Sequence, residues 1–365
     1  MGKGRTAPDF LMILSTLALL AIGIVMVYSA SAVTAFHDYG DSFYYLKRQL
    51  IFALLGLVAM YFTMNTDYWV WKKFSKAGLI ACFALLVIVL VPGVGVVRGG
   101  ARSWLGIGSL GIQPSEFMKL AMILFLAKLL SEQQGKITQF TQGLLPPLAL
   151  VGAAFGLIML QPDLGTGAVL VGASMLVIFV AGARLSHIAW LGAVGLAGMV
   201  ALIAAAPYRL KRITAFLDPW QDPLGAGYQA IQSLYAIGPG QLVGLGLGMS
   251  RQKYNYLPEP QTDFIFSIIA EELGFLGGAT VLLLFTLLIW RGYRTALTAP
   301  DTFGSFLAAG ITSIVAVQVV INIGVVIGMM PVTGITLPLI SAGGSSLTLM
   351  LTALGLLLNI SRYAR

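Results

Sequence analysis

The stretch Arg251–Glu272, RQKYNYLPEPQTDFIFSIIAEE, gathers Arg251, Lys253, Glu259, Asp263 and the Glu271–Glu272 pair into an otherwise apolar chain. Its PEPQTD run reads as extended and polar. From Thr262 onward the sequence becomes an apolar helix, FIFSIIAEELGFLGGATVLLLFTLLIW, long enough to cross a bilayer. Asp263 thus stands where a polar loop enters the membrane. A carboxylate is costly to place there and is by default a functional candidate, as a base or a cation ligand. Helical spacing puts Ser267, Ala270 and Gly274 on its face, small residues that would leave room for a ligand. The competing reading is a helix cap, since negative charge is stabilised at a helix N-terminus.

Other polar positions repeat the pattern. In IQPSEFMKL, Pro114 suits the first position of a helix, Glu116 its first turn, and Lys119 lies three residues on, within reach of Glu116. The pair is either an ion pair tolerated at the membrane edge or, with Lys119 facing inward, the wall of a cavity for an anionic ligand. Gln161-Pro162-Asp163 opens another apolar run, and capping is the stronger reading for Asp163. Trp104, beside Arg102, reads as an interfacial anchor. Arg209, Lys211 and Arg212 form a basic cluster suited to lipid headgroups or, more sharply, to a diphosphate. The run from Asn322 to Ser346 is apolar but interrupted by Pro331, Pro338 and Gly343-Gly344. Broken backbone at membrane depth is tolerated where it is buried or lines a cavity, so it marks a cavity wall.

The chain that must position these residues has 365 of them, 58% hydrophobic and 10% charged, with mean hydropathy +0.89. No soluble domain of that size hides so much apolar surface, so the expectation is an all-α polytopic membrane protein. Apolar runs at roughly 10–31, 49–65, 76–94, 115–131, 145–161, 164–182, 187–206, 264–290, 304–329 and 339–361 give about ten spans. They form a single membrane domain over residues 1–365, with one long extracellular loop, about 207–263, between spans seven and eight. That loop is too apolar for a solvated linker and is expected to hold short amphipathic or re-entrant pieces. Ala30-Ser31-Ala32 resembles a signal-peptide cleavage site, but the run from Phe10 to Val27 is long, and it reads as a retained first span.

A formal charge of +8 is compatible with nucleic acid, yet the cations sit at the ends of apolar runs. With Lys3, Arg5, Lys72, Lys73, Lys76, Arg291, Arg294 and Arg362 on the inner side, both termini are placed in the cytoplasm. No nucleic-acid partner is expected. The glycines form no phosphate-binding loop, the two histidines have no metal-ligand spacing, and Cys82 is alone.

The runs GARSWLGIG, IQPSEFMKL, QPDLGT, FLDPWQDPLGAGYQAIQSLYAIG, YLPEPQTDFIFSIIAEELG and MPVTGITLPLISAGGSSL together resemble the SEDS family (shape, elongation, division and sporulation) over nearly the whole chain. The wording is closer to the FtsW and SpoVE branch than to the RodA branch. The resemblance implies a peptidoglycan glycosyltransferase that polymerises lipid II, extending a lipid-linked glycan on the outer membrane face. It also implies a class B penicillin-binding transpeptidase as partner, among divisome or sporulation proteins. The family's functional acid matches Asp263, its outer-loop tryptophan Trp104, and its Glu/Lys pair Glu116 and Lys119. Pro260 and Gln261 depart from many members, so no proton transfer is assigned to them.

Lipid II carries an α-linked sugar diphosphate and the product linkage is β-1,4, so the implied transfer inverts. It needs a base for the acceptor 4-hydroxyl, assigned to Asp263, and charge stabilisation for the leaving diphosphate. Arg48, Arg102, Lys119, Arg212 and Lys253 are the candidate cations, with Asp163 also counted among the substrate-binding candidates. No cofactor is assigned; a divalent cation, Mg or Mn, held by Glu259 and Asp263 is left open. Glu259 otherwise orients the sugar. The alternative is a lipid II flippase, which intramembrane charges and broken helices also suit. For the transpeptidase, the glycines of spans eight and nine, Gly277, Gly278, Gly304 and Gly310, suggest a lipid-facing groove.

Overall fold

The apolar runs fold as helices because in lipid each backbone polar group must find its partner within the segment. The computed structural model describes residues 6–98, 101–107, 110–204 and 214–364. In chain order the helices are α1 (Phe10–Tyr39), α2 (Tyr44–Asn65), α3 (Tyr68–Ile88), α4 (Pro114–Glu132), α5 (Leu145–Met159), α6 (Leu164–Val180), α7 (Leu185–Ala204), α8 (Tyr228–Gly240), α9 (Ile265–Thr298), α10 (Thr302–Val326) and α11 (Gly344–Ser361). All but α8 correspond to the expected spans. Six apolar helical stretches among the described residues are long and apolar enough to cross a membrane on their own. The rest are shorter or carry charges: Lys72, Lys73 and Lys76 lie inside α3 rather than before it. The helix α1 runs unbroken through Ala30-Ser31-Ala32, with Ala30 and Ser31 fully buried.

Three strands precede α4: β1 (Val96–Arg98), β2 (Ala101–Ile107) and β3 (Leu110–Ile112), antiparallel in the order β1-β2-β3. Trp104 and Arg102 lie on β2, paired with Val96 and Val97. The apolar pattern expects only a loop here. The hairpin signal was local, two short runs about the Gly99-Gly100 pair.

At the centre stands α10, packed against α4, α6, α9 and α11. Small residues set the spacing. A Cβ on Gly310 would lie 2.3 Å from Ile123 and 2.9 Å from Val177, and one on Gly304 would lie 3.1 Å from Tyr68. These glycines are interior, so the lipid-facing groove expected on span nine does not exist there. On α9 a lipid-side stripe remains: Leu276, Leu283, Trp290 and Leu297, at seven-residue intervals, are all exposed.

The helix α9 is not one span. Gly274 has non-helical angles (φ 64°, ψ −163°) that divide it into 265–273 and 275–298. The second part, 24 residues at about 1.5 Å each, is itself long enough for the hydrocarbon core. The return from α8 threads the break. Gln241 and Leu242 carbonyls accept from the Phe275 and Leu276 N–H groups, while Leu245 and Gly246 donate to the Glu271 and Glu272 carbonyls. Two N–H groups and two carbonyls of the helix ends exposed by the break are thereby satisfied. Gly244 and Gly274, both at positive φ, meet back to back, where a Cβ on either would strike backbone within 2.3 Å. The outer loop therefore folds back onto the break in α9 instead of running as a free linker. At the other end of the bundle the two termini meet, with Thr6 donating to the Arg362 carbonyl and Arg291 paired with Asp9.

Candidate functional site

Asp263 lies in the turn before α9, half-buried. It does not cap that helix: Phe264 holds the N-cap position and no side chain bonds there. Among the described residues its carboxylate has no hydrogen-bond or ion-pair partner. Burial, then the charge of Glu259, then that of Asp163, push its pKa up to about 7. Beside it stands Gly334 of the broken segment, at φ 74°, where a Cβ would lie 3.6 Å from Asp263 Oδ2. A side chain there would meet the carboxylate at ordinary van der Waals distance, and the strain of replacing this glycine would come from its positive φ.

The ligand space expected beneath Asp263 is filled. Ser267 is buried and its hydroxyl meets Ser233 of α8 at 2.8 Å, and a Cβ on Gly240 would strike the Ala270 carbonyl. The small face of α9 is the seat of α8. Glu259, Asp163 and Gly334 are the groups that stand beside or act on Asp263 outside that seat.

Asp163 does cap, as expected: its Oδ1 accepts from the Thr166 N–H at 3.0 Å at the start of α6. Its Oδ2 accepts from Gln113 at 3.0 Å, a partner from the residue before α4 that sequence reasoning missed. Glu259 is exposed at a left-handed φ of 50° and accepts from Gln261 and Thr262. Two carboxylates, Glu259 and Asp163, thus act on Asp263 at this spot. No group of three metal-ligating side chains forms among the described residues.

Glu116 and Lys119 form an ion pair at 2.8 Å, both buried, on α4. They front a small cavity closed by Ile311 and Ile314 of α10 and Ser346 and Met350 of α11. Ser346 meets Thr336 at 3.4 Å, two residues from Gly334, so the broken segment links this cavity to the Asp263 turn. Arg48, half-buried in the first turns of α2, lies over the Tyr44 ring, and its neighbour Gln49 donates to the Ser341 carbonyl. Arg102 and Trp104 are half-buried on β2.

Lys253 is not placed as a ligand-facing cation. It is buried, bonded to the Gly248 carbonyl at 2.6 Å and paired with Glu272 at 3.2 Å. Glu272 also takes Ser29 of α1 and the Gly248 and Ser250 N–H groups, while Glu271 takes Ser250 Oγ and the Arg251 N–H. The acidic pair and Lys253 fasten the outer loop to α1 and α9, so their charge serves packing rather than a ligand. Arg209, Lys211 and Arg212 lie outside the described residues.

The sequence profile of a family described as cell cycle protein, covering FtsW, RodA and SpoVE, matches residues 10–365. Stage V sporulation protein E of Bacillus subtilis (strain 168) is 63% identical over 365 residues, covering 100% of both chains. A probable peptidoglycan glycosyltransferase FtsW of Trichlorobacter lovleyi is 45% identical over 353 residues, 97% of this chain and 93% of that protein. Among solved structures, a chain from a peptidoglycan synthase complex studied for the coordination of polymerization and crosslinking superposes with a TM-score of 0.81 at 35% identity, covering 98% of each. The rod shape determining protein RodA of Thermus thermophilus gives 0.72 at 32% identity, covering 98% of this chain and 97% of that one.

Proposed function

The chain belongs to the FtsW, RodA and SpoVE family of cell cycle proteins, and from that premise we propose that it is a peptidoglycan glycosyltransferase that polymerises lipid II, with Asp263 as the base. The observation that carries the base assignment is a half-buried carboxylate without a partner among the described residues, raised to about 7 by burial and two like charges. A base near the working pH combines the correct protonation state with useful proton affinity. The acceptor 4-hydroxyl gives its proton to Asp263 as its oxygen attacks the anomeric carbon. The bond to the diphosphate breaks, and inversion gives the β-1,4 linkage.

The leaving diphosphate needs positive charge rather than a proton. Lys119 supplies it next to a cavity: Glu116 takes one of its three N–H donors and leaves two for a ligand. Arg48 and Arg102 are further contributors. A divalent cation would fall to Glu259 and Asp263, whose carboxylates are the hard oxygen donors such an ion takes; the reading does not depend on it. Glu259, exposed at the mouth, orients the incoming sugar.

The Asp263 end of the bundle faces outward and both termini face the cytoplasm. The outer loop's middle segment, around Gln221, should therefore be reachable from outside. The whole-length likeness to a stage V sporulation protein supports a role in spore wall synthesis, with division as the related alternative. A class B transpeptidase is the proposed partner, supported by the likeness to a chain of a synthase complex that couples polymerization to crosslinking. Purified protein incubated with lipid II tests the reading: glycan polymer is the expected product. Translocation of lipid II in vesicles with no polymer at all would return a flippase instead.

A further inference from the structure

Three consecutive carbonyls of the turn that carries Asp263 are each held from the broken segment and the end of α10. Gln261 O accepts from the Ala342 N–H at 2.8 Å. Thr262 O accepts from the Ser341 hydroxyl at 2.6 Å. Asp263 O accepts from the Asn322 side-chain amide at 2.9 Å. Both side chains also hold the broken segment itself. Asn322 gives its second N–H to the Ile335 carbonyl at 2.7 Å, and Ser341 Oγ accepts from the Leu337 N–H at 2.8 Å.

Two features separate this clasp from ordinary loop packing. Asn322 is 1% exposed, and its Oδ1 is buried with no hydrogen-bond partner among the described residues. Buried polar atoms are almost always paired, so this amide is kept for its two donors at the expense of its acceptor. Second, residues 322–346 contain no titratable side chain. The clasp grips Asp263 by its backbone and leaves the carboxylate without a counter-charge.

We propose that Asn322 and Ser341 are positioning residues for Asp263, fixing its peptide so that an unbonded carboxylate keeps one place beside Gly334. This rests on the reading of Asp263 as the base. A side chain that makes no hydrogen bond is located only as well as the backbone beneath it. A displacement of about 1 Å costs on the order of 10²-fold in rate when a reacting group is involved. The titratable groups acting on Asp263 are Glu259 in its own turn and Asp163 at the head of α6; the clasp adds none. Loosening it admits water, and the carboxylate then falls back toward its ordinary range.

The test compares the parent with Ser341→Ala, Asn322→Leu and Asp263→Asn, assaying lipid II polymerisation from pH 5.5 to 8.5 per mole of folded protein counted by thermal unfolding. Ser341→Ala and Asn322→Leu should each lower kcat by about tenfold or more, leave KM within about twofold, and move the acid limb of the profile to lower pH. Ser341→Ala removes one hydroxyl and is the variant that decides if Asn322→Leu does not fold. A smaller folded fraction with parental kcat and an unmoved acid limb would make both residues merely structural and overturn the proposal. Parental values throughout would overturn it too. Inactive Asp263→Asn beside fully active clasp variants removes the positioning role alone; active Asp263→Asn removes the base and this inference with it.

Discussion

Asp263→Asn should move activity and stability in opposite directions. In the folded parent the carboxylate pKa is raised from its ordinary 3.8 to about 7. For an acid whose pKa is raised on folding, the native state holds its proton over a window where the unfolded chain has lost it. Stability is therefore full below about pH 4 and falls as pH rises through 7. At 1.36 kcal/mol per unit, ionising Asp263 in place costs on the order of 4 kcal/mol by pH 8. Asparagine keeps the size and carries no charge, so the variant is relieved of that cost. Its unfolding temperature at pH 8 should exceed the parent's by a few degrees, and the gap should close at pH 4.

Polymerisation goes the other way. An amide has no useful proton affinity near neutral pH, so removing the base should cost about 10²–10⁴-fold in rate. The assays are thermal unfolding at pH 4 and pH 8 and glycan polymer formed from lipid II. A lower unfolding temperature at both pH values, with polymerisation lost only in proportion to unfolded protein, would show that Asp263 holds the structure together. Polymerisation at the parental rate would refute the base outright.

Three further outcomes are expected. The parental rate should rise with pH and level off above about 7, falling about tenfold per unit below it; in Glu259→Gln one of the two like charges is gone, so the limb should sit at lower pH, and an unmoved limb would detach Glu259 from the site. Lys119→Met leaves Glu116 buried and unpaired and should cost about 3–5 kcal/mol in unfolding free energy, most of it restored in the Glu116→Gln/Lys119→Met double variant; if that double variant also polymerises normally, the pair is structural only. On the lipid side, Leu276→Trp and Leu283→Trp should weaken capture of a transpeptidase severalfold because they alter an exposed stripe, whereas Gly310→Leu should lower the folded yield; equal capture by the tryptophan variants would remove this face of α9.

What could be read along the chain was whatever a single segment decides for itself. Apolar length located the long helices, Pro114 and Asp163 announced their own helix starts, and the prolines and glycines of 322–346 declared a broken segment. Glu116 and Lys119, three residues apart, were close enough in sequence to be paired on paper. Contacts between distant segments were not legible. Nothing near Asp163 points to Gln113, fifty residues earlier. Nothing near Lys253 says that Glu272, rather than a diphosphate, takes its charge. Small residues misled for the same reason: Ser267 and Ala270 mark close approach, but only the fold shows that α8, not a ligand, does the approaching. Gly310 likewise meets Ile123 and Val177 instead of lipid.

The Asp263 turn combines both kinds of information. Its carboxylate was conspicuous in the sequence because charge at a membrane boundary is rare. The case for it as the proposed base rests on what the sequence could not show. Lys253, the buried lysine of the outer loop's described part, is already paired with Glu272, while Asn322 and Ser341 hold the turn without offering a counter-charge. A lysine or arginine paired with Asp263 would stabilise the carboxylate and pull its pKa down, leaving a weaker base. An uncharged grip on the backbone orders the group and leaves its proton affinity high. That division, backbone held and carboxylate bare, is the physical argument for placing the chemistry at Asp263 rather than at Glu271 or Glu272, which are more deeply buried and fully bonded.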